Sequence, residues 1–199
     1  RLTELTMAEA KALVPILKID EVVRAAISAT AQDIDTDMML RRFVRLLHTN
    51  GGQIETNQTV RAITKISDGW QIDTNKGQFT ACKVINAAGA WGDEIAKLAG
   101  IPEIGLTPMR RSVARLAAPS GLNVQSWPML FGPGERWYAK PDAGALIVSL
   151  AEETPSPPMD AWPHDIDLAE ALARYQDYVT EPVTRPISSW AGLRTFAPD

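Results

Sequence analysis

Three features predict a mixed α+β (α/β) chain in two parts. Three short β-rich runs between residues 60 and 85 are separated by tight glycine turns, as in a β-meander. Helical patterns flank that meander on both sides. After Pro102 the texture changes to strand-like pieces joined by loops, with one long helix near the end. The boundary between the two parts is therefore placed near residue 102.

Thr6 with Glu9 three residues on has the form of a capping box, and it opens a short helix through about Val14 that Pro15 ends. Residues 19 to 30 are ambiguous between helix and strand. Asp35-Thr36-Asp37 supplies acidic and hydroxyl groups suited to a helix N-terminus. Leu40, Phe43, Val44 and Leu47 follow at helical spacing, and Asn50-Gly51-Gly52 ends the helix at about Thr49. Strands are predicted at Val60 to Ile66, Trp70 to Thr74 and Phe79 to Ile85, parted by Ser67-Asp68-Gly69 and Asn75-Lys76-Gly77. A helix from about Trp91 to Ala99 closes on Gly100. Beyond the boundary, strands are predicted at Met109 to Ala117, Trp137 to Lys140, Ala145 to Leu150 and 187 to 194. An open loop holds Pro155 to Pro158, and a helix runs from about Leu168 to Val179.

Composition limits the function. The chain has 199 residues, 45% of them hydrophobic, which is ample for a core. Its 20 basic residues are dispersed and outnumbered by 24 acidic ones, for a net charge of -4, which argues against a nucleic-acid partner. No apolar run approaches the roughly 18 to 20 residues needed to span a bilayer. The lone Cys82 lies in an apolar run and is expected to be a buried, inert thiol. With only two histidines, His48 and His164, no metal site is expected. There is no GxSxG turn, no P-loop and no complete GxGxxG, and Gly51-Gly52 and Gly132-Pro133-Gly134 read as turn glycines.

Four places carry candidate chemistry. Asn86-Ala87-Ala88-Gly89-Ala90-Trp91 brings nearly bare backbone to the end of a strand, where a large ligand could approach exposed N–H groups. Tight strand-to-helix packing would select the same small residues, so the pattern alone leaves both readings open. Arg110-Arg111 opens a strand, and adjacent residues there face opposite ways, so at most one points inward. Arg194 follows Trp190-Ala191-Gly192-Leu193, a setting apolar enough for burial, which would demand an anionic partner. Of Trp137 and Tyr138, one ring is expected in the core and the other facing outward or into a pocket.

The segments AQDIDTDMML, NAAGAWGDEIAKLAG, GLTPMRRSVARL, WYAKPDAGAL and WAGLRTFAPD, in this order across nearly the whole chain, resemble the flavin-dependent D-amino-acid oxidases and dehydrogenases. That group includes glycine oxidase and sarcosine oxidase, and the likeness is strongest to bacterial D-arginine and broad-specificity D-amino-acid dehydrogenases. The resemblance implies a fragment of a two-domain FAD oxidoreductase. Residues 31 to 101 would be part of a FAD-binding domain, 1 to 30 and 102 to 190 a substrate domain on a mixed sheet, and 191 to 199 the start of a return to the FAD domain. It implies that Ala88, Gly89, Trp91, Gly192 and Leu193 lie against FAD and that Val60 reads the adenine through its backbone. It further implies that Arg111 and Arg194 clamp the substrate carboxylate, with Tyr138 helping to fix the substrate. The reaction implied is hydride transfer from the substrate Cα to the flavin, giving an imino acid that water converts to a keto acid and ammonia. A cytoplasmic setting is expected, at the periphery of the inner membrane if a quinone accepts the electrons.

The strand–GxGxxG–helix unit of that family is absent from these residues, so the chain is expected to be the middle of a longer enzyme. By itself it is expected to lack FAD, to be inactive and to self-associate through exposed apolar surface. Two other readings stand beside this one: a FAD-dependent 2-hydroxy-acid or glycerol-3-phosphate dehydrogenase of the same superfamily, and a non-catalytic ligand-binding module.

Overall fold

The computed structural model describes residues 2–198. The first residue of the 1 to 30 segment and the last of the 191 to 199 segment lie outside the described residues. The elements in order are β1 (Thr3–Leu5), α1 (Met7–Leu13), β2 (Ala25–Ile27), α2 (Thr36–Thr49), β3 (Val60–Ile66), β4 (Gly69–Thr74), β5 (Gln78–Ala81), α3 (Gly92–Leu98), β6 (Thr107–Ala117), β7 (Leu130–Phe131), β8 (Tyr138–Asp142), β9 (Ala145–Ser149), β10 (Thr154–Pro155), α4 (Asp165–Tyr178) and β11 (Ser188–Phe196). A 3-10 turn at Gly89–Trp91 leads directly into α3. The chain groups into two compact units: one of Leu2 with residues 28–86 and 94–102, the other of residues 3–27, 87–93 and 103–198.

In the first unit β3, β4 and β5 form an antiparallel meander, with a bulge at the start of β3 between Val60 and Ala62. The last strand is shorter than predicted, stopping at Ala81, so Cys82 emerges into solvent. The expectation of a buried thiol is thereby corrected: the apolar run that suggested burial leaves the sheet one residue too early to cover it. Helix α2 is capped as expected, the Asp35 carboxylate accepting from Met38 N–H at 2.8 Å. It buries none of its own residues; Leu40, Phe43 and Leu46 are each about three-fifths exposed (61%, 61% and 59%).

The second unit is built on a six-stranded sheet with the path β10-β6-β9-β8-β7 and with β11 pairing β6 along its whole length. All these pairings are antiparallel. Side-chain alternation divides the sheet into two faces. One carries Leu116, Leu146, Val148, Ala139 and Trp137, which pack with Ala10, Val14, Val124, Tyr175 and Val179 into a single buried cluster. Trp137 anchors it, its ring edge-on to Tyr175 at 5.4 Å and tilted against Tyr178 at 5.6 Å. Gly132 is obligatory there, because a Cβ would meet Trp137 Nε1 at 2.1 Å. Of the aromatic pair read from the sequence, Trp137 is therefore the core member.

The N-terminal segment closes over the end of α4. The Thr6 hydroxyl accepts from Glu9 N–H, and Glu9 accepts in return from Thr6 N–H, completing the capping box of α1. The Thr6 hydrogen bonds hold the Glu9 carboxyl below its ordinary range. Thr180 N–H donates to Ile16 O at 2.7 Å and Lys18 N–H to Tyr178 O at 2.9 Å. The ambiguous stretch of residues 19 to 30 resolves as a loop and the short strand β2, which pairs with β1. Neither β1 nor the two-residue strands β7 and β10 are predicted, since each is too short to show a period of two.

Burial raises the Tyr175 hydroxyl from 10.0 to about 12. In the unfolded chain this phenol ionises near pH 10, so the protection is complete below that value and is lost as pH rises through about 12. Urea unfolding of the wild type should show stability falling between these two pH values. Tyr175→Phe, which keeps the ring against Trp137, should remove that part of the alkaline loss.

Candidate functional site

Strand β11 lies antiparallel to β6 in a register that runs from Ser188↔Arg115 to Phe196↔Thr107. Gly192 faces Arg111, and Arg194 faces Met109. Arg111 and Arg194, far apart in sequence, therefore occupy the same sheet face as diagonal neighbours, a relation that in antiparallel sheets spans about 7–8 Å. Tyr138, opposite Ser149 on β8, is on that face too, two strands from Arg111, with its ring 6.3 Å from Phe131.

The two adjacent arginines of β6 serve opposite faces. Arg110 turns to α4, donating from Nη2 to the Asp167 carboxylate at 3.1 Å and meeting His164 Nε2 at 2.9 Å through Nη1. Arg111 turns to the segment after β9, donating to Glu152 O at 3.4 Å, Ala151 O at 3.2 Å and the Glu153 carboxylate at 3.3 Å. A solvated basic edge is thus not what the pair forms: their side chains are only 12% and 15% exposed. Arg194 departs from its expectation in the other sense. It is exposed, with its guanidinium 6.0 Å from the Phe196 ring; side chains alternate along β11, so Leu193 lies on the other face and does not cover it.

A cleft of about 580 Å³ opens beside β11 within the second unit. Its walls are Ala87 to Trp91, Ala191 to Leu193 and Met159 to Ala161. Ala88, Gly89, Trp91, Gly192 and Leu193, singled out from the sequence, all line this one space. Gly89 has φ +55°, in the left-handed region, and a Cβ added there or at Gly192 would meet no atom within 4 Å. The bare backbone is therefore not explained by packing against a neighbour in this unit. It borders open space, a cradle that suits a large planar group such as a flavin. Val60 is elsewhere: it opens β3 opposite Thr74 in the first unit.

The Gly89–Trp91 turn is fixed by its successor. The Asp93 carboxylate accepts from the backbone N–H groups of Ile104 (3.2 Å), Gly105 (3.0 Å) and Leu106 (2.7 Å). Gly92 then comes so close to Leu106 that a Cβ would lie 2.6 Å from its Cδ1. The sequence reading missed Asp93, although an acidic residue at the start of the predicted Trp91 helix was the available signal. It also missed the wall at Met159 to Ala161, which comes after a proline-rich stretch read only as loop.

No helix among the described residues is long and apolar enough to cross a membrane. The family model of FAD dependent oxidoreductases (DAO) matches residues 2–199, and the chain belongs to that family. Solved structures bear out the fold. Glycine oxidase from Geobacillus kaustophilus superposes with a TM-score of 0.83 at 21% identity, over 99% of this chain and 52% of that one. L-proline dehydrogenase from P. horikoshii gives 0.80 at 23% identity, over 100% and 54%. L-alpha-glycerophosphate oxidase from Mycoplasma pneumoniae, with FAD bound, gives 0.79 at 21% identity, over 98% and 53%. The chain thus spans about half the length of the solved structures it matches.

Removing the Asp93 carboxylate leaves three backbone donors without their acceptor. Asp93→Ala should cost about 1–3 kcal/mol in urea unfolding, and hydrogen exchange should speed up at the amides of Ile104, Gly105 and Leu106.

Proposed function

We propose that this chain supplies the substrate-facing part and a portion of the cofactor-facing part of a FAD-dependent D-amino-acid dehydrogenase or oxidase. The observation that carries this reading is the pairing of β6 with β11, which sets two guanidinium groups on one sheet face next to the bare backbone at Gly192. Under this reading residues 31 to 101 belong to the FAD domain, 1 to 30 and 102 to 190 to the substrate domain, and 191 to 199 lead back to the FAD domain. Ala88, Gly89, Trp91, Gly192 and Leu193 would hold FAD in the cleft, with Val60 contributing at the adenine.

Bound FAD supplies the hydride acceptor for oxidation of the Cα–N bond. The protein's own residues bind and orient. Arg111 and Arg194 fix the substrate carboxylate by charge-assisted hydrogen bonds, and Tyr138 supports the substrate from β8. A carboxylate held on both guanidiniums would lie beside Gly192, which puts no side chain between it and the cleft. The product imino acid hydrolyses in water to the keto acid and ammonia. Removing hydride requires the neutral amine, so turnover should fall at low pH.

A second reading has one specific support, the structural likeness to a glycerophosphate oxidase. It makes the substrate a 2-hydroxy acid or a phosphate ester. The two separate under an anaerobic visible spectrum of the full-length gene product, recorded with D-amino acids, L-amino acids and glycerol 3-phosphate. Bleaching of the flavin band by D-amino acids alone supports the first reading; bleaching only by a hydroxy acid or phosphate ester sinks it.

Arg111→Gln and Arg194→Gln should each lower kcat/KM for the amino acid by about 10- to 150-fold, as loss of a hydrogen bond to a charged group would. Gly192→Val should fold normally, since nothing in this unit lies within reach of its added Cβ, yet purify with less flavin, read as the ratio of flavin to protein absorbance. This chain expressed alone should elute above its 21.7 kDa mass in light-scattering chromatography, through the apolar face of α2.

A further inference from the structure

The partners of Arg111 come from one short segment, and that segment is built. Six steps along the chain from Val148 to Thr154 face only four from Ala114 to Arg110, so two extra residues bulge out between β9 and β10. The bulge is pinned from inside. Ser149 Oγ donates to Ser112 O at 2.7 Å and accepts from Ala151 N–H at 3.2 Å, while Ser112 N–H donates to the Glu152 carboxylate. Ala151 takes φ +59°, a left-handed conformation uncommon for alanine. Glu152 is spent on the backbone of β6. Glu153 is left with its side chain 55% exposed and its carboxylate 3.3 Å from Arg111 Nη2.

The charges near this end of the face are then Arg111 and Arg194 against Glu152 and Glu153, which leaves no positive surplus, and Asp160 adds a further carboxylate on the cleft wall with Gly192. Arg115, Lys140 and Asp142 share the face by register but sit about four residues further along the strands, roughly 13 Å away and beyond a Debye length at physiological salt. Arg115 is moreover paired with Asp142 at 3.0 Å. With no positive surplus, each further negative charge on a ligand is opposed.

We infer that Glu153 is a specificity-determining residue, whose carboxylate beside Arg111 restricts the site to substrates with a single anionic group and rejects those that carry a second. This rests on the reading of Arg111 and Arg194 as the carboxylate pair. A substrate carboxylate arriving at Arg111 meets Glu153 as a like-charged competitor for Nη2. A monoanion feels that repulsion once and a dianion twice. An acidic amino acid is therefore penalised relative to a neutral one, although two arginines alone would favour it.

The test uses the full-length holoprotein with acetate and malonate as probes, titrated calorimetrically against wild type, Glu153→Gln and Arg111→Gln. Turnover of D-alanine and D-aspartate is measured alongside. Glu153→Gln should tighten acetate roughly threefold and malonate roughly tenfold. It should raise the D-aspartate to D-alanine ratio of kcat/KM by a similar margin, and roughly 0.5 M salt should shrink both effects. Equal gains for the two probes, or no gain, in a wild type that oxidises amino acids would overturn the role of Glu153 and leave the carboxylate pair standing. Acetate binding unaffected by Arg111→Gln would remove the pair itself, and this inference with it.

Discussion

The register of β11 on β6 is the constraint on which the site depends. It places Gly192 opposite Arg111 and puts Arg194 on the same face, one step along the diagonal. A slip of a single residue would turn Arg194 to the opposite face and set a side chain where the bare backbone now lies. The pairing is long, Ser188 to Phe196 against Thr107 to Arg115, so many ladder hydrogen bonds oppose such a slip. A long edge pairing is a costly way to place two side chains, unless both must address the same small group.

The sheet separates its tasks by face. The side of Ala139, Leu146 and Val148 is closed by α4 and the aromatic cluster around Trp137, and it holds the strands rigid. Arg110 belongs to that side, where the Asp167 carboxylate neutralises it and His164 helps to orient it. Arg111 belongs to the other, where its acceptors are two carbonyls and one carboxylate from a pinned bulge. The Ser149 hydroxyl and the Glu152 carboxylate do the pinning, through the backbone of Ser112. A hydroxyl inside a hydrophobic sheet, as at Ser149, would weaken it without such a partner.

Local signals made much of this readable. The helix caps and turn glycines located α1, α2 and the meander, because each is decided within a few residues. The run from Asn86 to Trp91 stood out by its small residues, which fit either tight packing or an approaching ligand, and the structure sets Ala87 to Trp91 along a cleft. The features that stayed illegible depend on distant pairing. Nothing near Arg194 in sequence says that it will stand beside Arg111, and its apolar neighbours Trp190 and Leu193 pointed toward a burial that the open face does not provide. The bulge at Ala151 was hidden for the same reason, since a two-residue excess exists only relative to the facing strand. Cys82 failed through an element end, where a strand that stops short of its apolar run leaves the next residue in solvent. The likeness of five segments to a family supplied the long-range relations that periodicity cannot.

The chemistry of the open face is one of orientation. Guanidinium groups do not lose their protons in proteins, so on the proposed reading Arg111 and Arg194 would hold a carboxylate at any working pH. Of the two histidines, His164 is committed to Arg110 on the other side of the sheet and His48 to the end of α2, where its Nδ1 meets Gly52 O. His164 is not among the residues that line the cleft. On the proposed reading, the residues of the open face act on the substrate amine through the electrostatics around it. Glu153 is the acidic group paired with Arg111, and it acts there through charge. The same carboxylate that limits the anions a substrate may carry also favours a cationic amine nearby, which opposes its deprotonation. On the proposed reading, a site so arranged would give up some rate near neutral pH for selectivity in the charge it admits.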